Sequence, residues 1–310
     1  MTSALPYLLC SAVLILSSGV PLAAQKSDPK GHPPTAPETP LELNPEVSSR
    51  SFGLQDIDRD TYVLGNVLIT LYHELGHGLV ELGGLPLLGR EEDAVDDFAL
   101  IELVTALNNL DANDPLRTRF TAYGYATVDN WLKAAVEDGQ PYTSDYFGPH
   151  ALNLQRHFNT ACLLYGGSTD TFGGLIETFD LPEDLSFRCR NLYFTAYDGW
   201  AFTLDTFGLF SDGPGDATPD IILNIRPADR PQHDRWATLV REWEGLDTAL
   251  DLFSETYDLP NPIRVTFESC GEENAFYFPE QNTVSMCYEL MSAYSRYHGR
   301  DTQAILNRRQ

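Results

Sequence analysis

Residues 61–82, TYVLGNVLITLYHELGHGLVEL, hold the pattern from which the rest of the chain is read. Val63, Val67, Leu71, Leu75 and Leu79 recur at helical spacing along one side, while Asn66, Thr70, His73 and His77 fall together on another. Gly83 and Gly84 supply the stop signal. Residues four apart on a helix share a face, so His73 and His77 can turn both imidazoles toward one zinc ion. Glu74, one residue along, can hold a water beside the metal and act as general base, then as proton donor. The bland reading of the same HELGH is a buried helix with two satisfied histidines.

A catalytic zinc site usually takes three protein ligands and leaves a fourth position open. Val80 and Gly83 stand where a metzincin would need glycine and histidine, so that pattern is excluded. Glu81 lies two turns from His73, too far to share its metal. After the short loop LPLLG, EEDAVDDFALIELVTAL begins at Glu91 and reads as a second amphipathic helix, packed on the first as a hairpin. Glu92 and Asp96 share a face of it. Glu92 is assigned as the third ligand, with Glu91 as the alternative, and Asp96 as the carboxylate that accepts the free N–H of a ligand imidazole. Glu91, Asp93 and Asp97 otherwise read as acidic residues suited to a helix start. Phe98 and Ile101 are expected in the core.

The combination HELGH, GREEDAVDDFA and CGEENAFYFPEQNTVSMCYEL, with NLQRHFNTACLLYGG between, resembles a bacterial family of metallopeptidase-like proteins known as a domain of unknown function. The resemblance runs from about Phe52 to Leu290. The Glu-x-x-x-Asp spacing is similar to that of gluzincin peptidases, which implies the same roles for Glu92 and Asp96. Asn274-Ala275-Phe276-Tyr277 resembles the edge strand on which neprilysin-like peptidases bind extended peptide, implying that Asn274, Ala275 and Phe276 contact substrate. There the strand precedes the HExxH helix; here it follows by about 200 residues. The resemblance therefore implies a circularly rearranged zincin core.

Residues 1–24 contain no charged side chain and end in LAA before Gln25, which reads as a signal peptide; Cys10 follows Leu9 and forms no lipoprotein box. Residues 25–50 are proline-rich and read as a flexible linker, and 51–310 as a single domain. The expected location is exported, periplasmic or secreted, with no membrane span in the mature chain. In an oxidising compartment Cys162, Cys189, Cys270 and Cys287 can form disulfides. Proximity in sequence favours Cys162 with Cys189 and Cys270 with Cys287; a four-thiolate zinc site lacks the Cys-x-x-Cys spacing, and free buried thiols remain an alternative. A formal net charge of −25 argues against nucleic acid or anionic lipid as partners.

The middle of the chain, about 115–210, reads as helices broken by polar stretches; it contains His150, Arg156 and His157, which with Tyr277 and Tyr288 are candidates to stabilise an oxyanion. SDGPGDATPDI reads as a loop and RWATLVREWEGLDTALDLFSETY as one helix. IRVTFES and NTVSMCYEL read as strands, with PEQN turning the chain. The expected architecture is α+β and predominantly helical, a zincin-like core with a small C-terminal sheet. The expected activity is hydrolysis of peptide or protein substrates with one Zn²⁺ per chain. The rival is a zinc-stabilised protein that binds a peptide or protein partner without cleaving it, and a third reading holds the enzyme latent through its proline-rich segment.

Overall fold

Asp58 starts the central helix by accepting the backbone N–H of Thr61 at 2.9 Å. The helix, α1 (Arg59–Gly83), ends where Gly84 takes a left-handed conformation (φ 59°) and the Leu85 N–H reaches back to the Val80 carbonyl. Only glycine adopts that φ without strain, and the reach-back bond satisfies a terminal carbonyl. In this computed structural model, which describes residues 54–111, 113–181, 186–211 and 221–307, α1 is walled on nearly every side. Its apolar positions Val63, Leu68, Leu71, Leu75 and Leu79 are buried completely, the condition of a helix inside a core rather than on its surface. The described residues all fall in one unit, 49–310.

Helix α2 (Glu91–Asn109) folds back on α1 as the expected hairpin, with Phe98 and Ile101 in the core. Next come α3 (Pro115–Asp138) and α4 (Asn153–Gly167), then the single-turn helices α5 (Thr169–Phe172) and α6 (Leu175–Thr178), and α7 (Ser186–Thr206). Helix α3 packs along α1, and α4 packs against both α3 and α7. A disulfide joins Cys162 of α4 to Cys189 of α7.

Strand β1 (Ile221–Ile225) opens the second half, followed by α8 (Asp234–Arg241), α9 (Glu244–Thr256), β2 (Ile263–Glu268), β3 (Ala275–Phe278), β4 (Thr283–Cys287), α10 (Tyr288–His298) and α11 (Thr302–Leu306). The sheet order is β1-β2-β4-β3. Strands β1, β2 and β4 run parallel, and β3 pairs antiparallel with β4, leaving β3 at the edge. A second disulfide, Cys270–Cys287, ties the chain after β2 to the end of β4. The Glu289 carboxylate accepts the Cys270 and Gly271 backbone N–H groups at 3.1 and 3.0 Å, which fixes the loop leading into β3.

Two expectations are corrected and one strand is added. The stretch 235–257 is two helices rather than one, broken at Trp243, whose indole donates to the Tyr123 hydroxyl at 3.0 Å and is buried in the core. Strand β4 stops at Cys287, and Tyr288-Glu289-Leu290 begin α10. The strand at Ile221–Ile225 has no counterpart among the sequence expectations. No helix of the described residues is long and apolar enough to cross a membrane. The expected signal peptide, 1–24, and linker, 25–50, lie outside the described residues.

Candidate metal centre

Two glycines within the HELGHG stretch set how closely α1 is approached. A Cβ at Gly76 would stand 3.1 Å from side-chain atoms of Val95 and Phe98 on α2, and one at Gly78 would stand 2.5 Å from Cδ1 of Ile263 on β2. Helix and sheet thus press on the turn that carries His77, and α2 comes close enough to offer its acidic first turn to both histidines.

Three atoms converge there. His73 Nε2 lies 3.2 Å from Glu92 Oε2, His77 Nε2 lies 3.4 Å from the same oxygen, and the two nitrogens are 3.3 Å apart. Bonds of zinc length in a tetrahedron put neighbouring donors about 3.3–3.5 Å apart. The triangle therefore has the dimensions of one tetrahedral face. Glu92 Oε2 is buried without a well-aligned hydrogen bond, faced by the two Nε2 atoms and, at 3.3 Å, by His150 Nδ1, and a buried carboxylate oxygen among imidazole nitrogens suits a cation. On this geometry the three residues fit a divalent metal.

The far side of each ring is held. His73 Nδ1 is 2.8 Å from Asp96 Oδ1, and His77 Nδ1 is 2.7 Å from Glu91 Oε1. An ionised carboxylate only accepts, so Nδ1 carries a proton in both rings, and Nε2 is the atom each ring would turn to a cation at the common point, giving up any proton it holds there. Asp96 in turn accepts Arg156 Nη2 at 2.6 Å, and the Arg156 guanidinium lies 3.6 Å from the centroid of the Trp131 ring. Burial works against the charge on Asp96, but Arg156 and His73 outweigh it and hold its carboxyl below the usual range. Burial likewise pushes His73 down, yet bonds to Asp96 and Glu92 lift it to about 9. His77 is raised in the same way, against burial, by Glu92 and Glu91, while bonds to the two imidazoles drive the Glu92 carboxyl far below its ordinary value. The surroundings are strongly negative, which suits a cation.

Glu74 is buried beside this point, and burial raises its carboxyl above the ordinary range against the opposing pull of His73 and His77. A cleft of about 350 Å³ opens over these groups, with Asn274, Ala275, Phe276 and Tyr277 of the β3 edge along its wall. Among proteins of known family, the sequence model described as "Putative metallopeptidase" matches residues 44–204 and 226–307. The chain belongs to this family. No curated protein and no solved structure matches the chain.

For a chain of this metallopeptidase family, the structure brings together most of the residues singled out from sequence and separates others. His73, Glu74, His77, Glu92, Asp96 and the 274–276 strand meet around one cleft and its margin. Glu81 lines the cleft without joining the donor triangle. His150 sits at the cleft with Nδ1 3.3 Å from Glu92 Oε2, its imidazole held low by burial and by Arg156. His157 is elsewhere, its Nδ1 2.8 Å from the Val128 carbonyl, and the Tyr288 hydroxyl donates to the Arg226 carbonyl under the sheet. From sequence, Glu91 reads as a helix-start acid or the alternative third ligand, and Arg156 as an oxyanion candidate. Their contacts with His77 and Asp96 bridge 14 and 60 residues, and no sequence spacing signals the second.

Proposed function

We propose that the protein is an exported, zinc-dependent peptidase whose metal is held by His73, His77 and Glu92, one ion per chain. The observation that carries this reading is the triangle of donor atoms, 3.2, 3.3 and 3.4 Å on its sides, with Glu92 Oε2 buried at its corner. A bound zinc would supply Lewis-acid polarisation of a peptide carbonyl and ease deprotonation of water. Mn²⁺ or Fe²⁺ also suits a mixed imidazole and carboxylate set.

The chain's own residues account for the rest. Asp96 and Glu91 keep the Nδ1 protons in place, so the rings cannot turn their lone pairs away. Glu74 takes the proton of the attacking water and returns it to the leaving amine; a carboxyl raised by burial is suited to both halves of that shuttle. The free edge of β3 can accept an extended peptide as a further strand, with Asn274, Ala275 and Phe276 as its contacts. His150, an exposed-side imidazole at the cleft, is placed to donate to the developing oxyanion.

A helix bearing HExxH beside a sheet with an antiparallel edge strand supports a zincin-like core, and the strand's position after the helix supports a circular rearrangement. A signal peptide at 1–24, a linker at 25–50 and a domain at 51–310 complete the reading; two disulfides suit an oxidising compartment. A peptide or protein is the partner, and the charge of −25 disfavours nucleic acid.

The test is digestion of a mixed peptide pool by zinc-loaded protein, by Glu74→Gln and by His77→Ala, with metal content measured on each. Glu74→Gln should keep its zinc and lose about 10²–10⁴-fold in turnover. His77→Ala should lose the metal. Full activity in Glu74→Gln would end the mechanism.

A further inference from the structure

Helix α7 carries large apolar residues on both its inner and its outer side, and a helix of that pattern is ordinarily covered on both. The inner side is fully used. Cys189, Tyr193, Trp200 and Leu204 are buried, Cys189 is bonded to Cys162, and a Cβ at Gly166 of α4 would collide with the Cys189 carbonyl, so the two helices meet backbone to backbone. The outer side is bare. Phe187 and Phe202 are 71% and 73% exposed, and Phe194 and Tyr197 are open between them. Helical spacing puts Phe187, Phe194 and Phe202 in one row, about two turns apart. Single surface aromatics are ordinary, but a row of them along one helix marks a surface that another molecule covers.

The charges on the same helix narrow what that molecule is. Arg188 and Arg190 stand near its start and Asp198 and Asp205 in its second half; all four are exposed, and none makes an ion pair among the described residues. The order is the reverse of the one the helix dipole favours, which is acids at the start and bases at the end. A second copy of the same helix laid antiparallel accounts for it. The basic end of each helix then lies along the acidic end of the other, the two dipoles oppose, and the rows of phenylalanine meet between them. A lipid surface fits less well, because Asp198 stands between Phe194 and Phe202 and would be drawn into an apolar medium without a partner. The net charge of −25 repels a second copy at long range, but that repulsion is screened beyond about 8 Å at physiological salt. The outer side itself sets two arginines against two aspartates.

We infer that α7 is the surface through which two copies of this chain form a two-fold dimer, their α7 helices packed antiparallel. In such an interface every contact occurs twice, so a change of charge on one half of the helix acts against itself in both copies.

The experiment is sedimentation velocity on the purified protein, on the double variant Arg188→Glu with Arg190→Glu, on the double variant Asp198→Arg with Asp205→Arg, and on an equimolar mixture of the two. The parent should sediment as a dimer. Each variant alone brings like charges together and should sediment as a monomer, whereas the mixture restores opposite charges at both ends and should recover the dimer. Should either variant fail to fold, Phe202→Ser replaces it and should weaken the parent dimer about ten-fold or more. A monomeric parent, variants that remain dimeric, a mixture that remains monomeric or an unchanged Phe202→Ser dimer would each overturn the inference. A monomeric parent that sediments with phosphatidylcholine vesicles would overturn it in favour of a membrane as the occupant of this face.

Discussion

Two buried polar clusters lie at different places in this fold and use the same kinds of residue. On α3, Lys133 Nζ and Asp129 Oδ2 are 2.6 Å apart with side chains 4% and 2% exposed, and Thr302 donates to the other Asp129 oxygen. Each Asp129 oxygen has its partner. Between α1 and α2, the outer atoms of His73 and His77 are tied to carboxylates, but the inner ones converge on Glu92 Oε2 at 3.2 and 3.4 Å without a well-aligned hydrogen bond. Cavity size ranks the two the other way, since about 710 Å³ opens beside Asp129 and Lys133 and about 350 Å³ beside the histidines. The difference teaches that cavity volume does not mark a cation site: Lys133 closes the charge of Asp129 within the fold, whereas Glu92 and the two imidazoles point their donor atoms at one shared place.

The comparison breaks most visibly at Asp129. Asp129→Ala strands the Lys133 ammonium in the interior and should cost about 3–5 kcal/mol of stability in denaturant unfolding. Its zinc content, measured on folded protein, should be unchanged. Loss of metal in that variant would mean that the two clusters are one functional unit.

A third buried group, Glu102, stands between these cases, with a single bond from the Tyr257 hydroxyl at 2.6 Å. Burial pushes its carboxyl up to about 7, the Tyr257 bond offsetting only part of that. The folded protein thus keeps a proton that the unfolded chain releases at its ordinary value of 4.5. Stability should fall as pH rises from about 4.5 to about 7, by about 3 kcal/mol, and then level off. Glu102→Gln, which still accepts from Tyr257, removes this term. Its advantage in Tm over the parent should be larger at pH 8 than at pH 5, and an equal difference at both would show that Glu102 titrates normally.

The smallest effect sharpens the ring-holding half of the comparison. Glu91→Ala frees His77 Nδ1 while leaving the donor triangle intact, and should weaken zinc about 10–100-fold in a chelator competition. An unchanged affinity would return Glu91 to the role of a helix-start acid.

What could be read from the sequence follows the distance over which each contact acts. His73, Glu74 and His77 lie within one turn and a quarter of helix, so their spacing alone placed them, and a short loop was enough to bring Glu92 and Asp96 across. Arg156 reaches Asp96 from α4 and His150 reaches Glu92 from the chain before it, and such contacts depend on how α3 and α4 pack rather than on any local period. Strand β1 escaped for a similar reason. IILNI follows a stretch of sequence rich in glycine, proline and aspartate, and its partner Ile263–Phe267 lies about 40 residues on, so only the parallel pairing defines it. The break at Trp243 carries no glycine or proline in the two preceding residues; burial of the indole against Tyr123 ends α8.

The glycines at 76 and 78 lengthen the signature beyond its chemistry. A side chain at position 78 would have to displace the Ile263 side chain of β2, and one at 76 would press on Val95 and Phe98 of α2, so HExxH alone can occur on helices that fit this gap less closely. A genome search with HExGHG, followed by EED about fifteen residues on, would gather chains able to build this narrow gap, and an engineer moving the site to another scaffold would have to carry the gap along with the ligands.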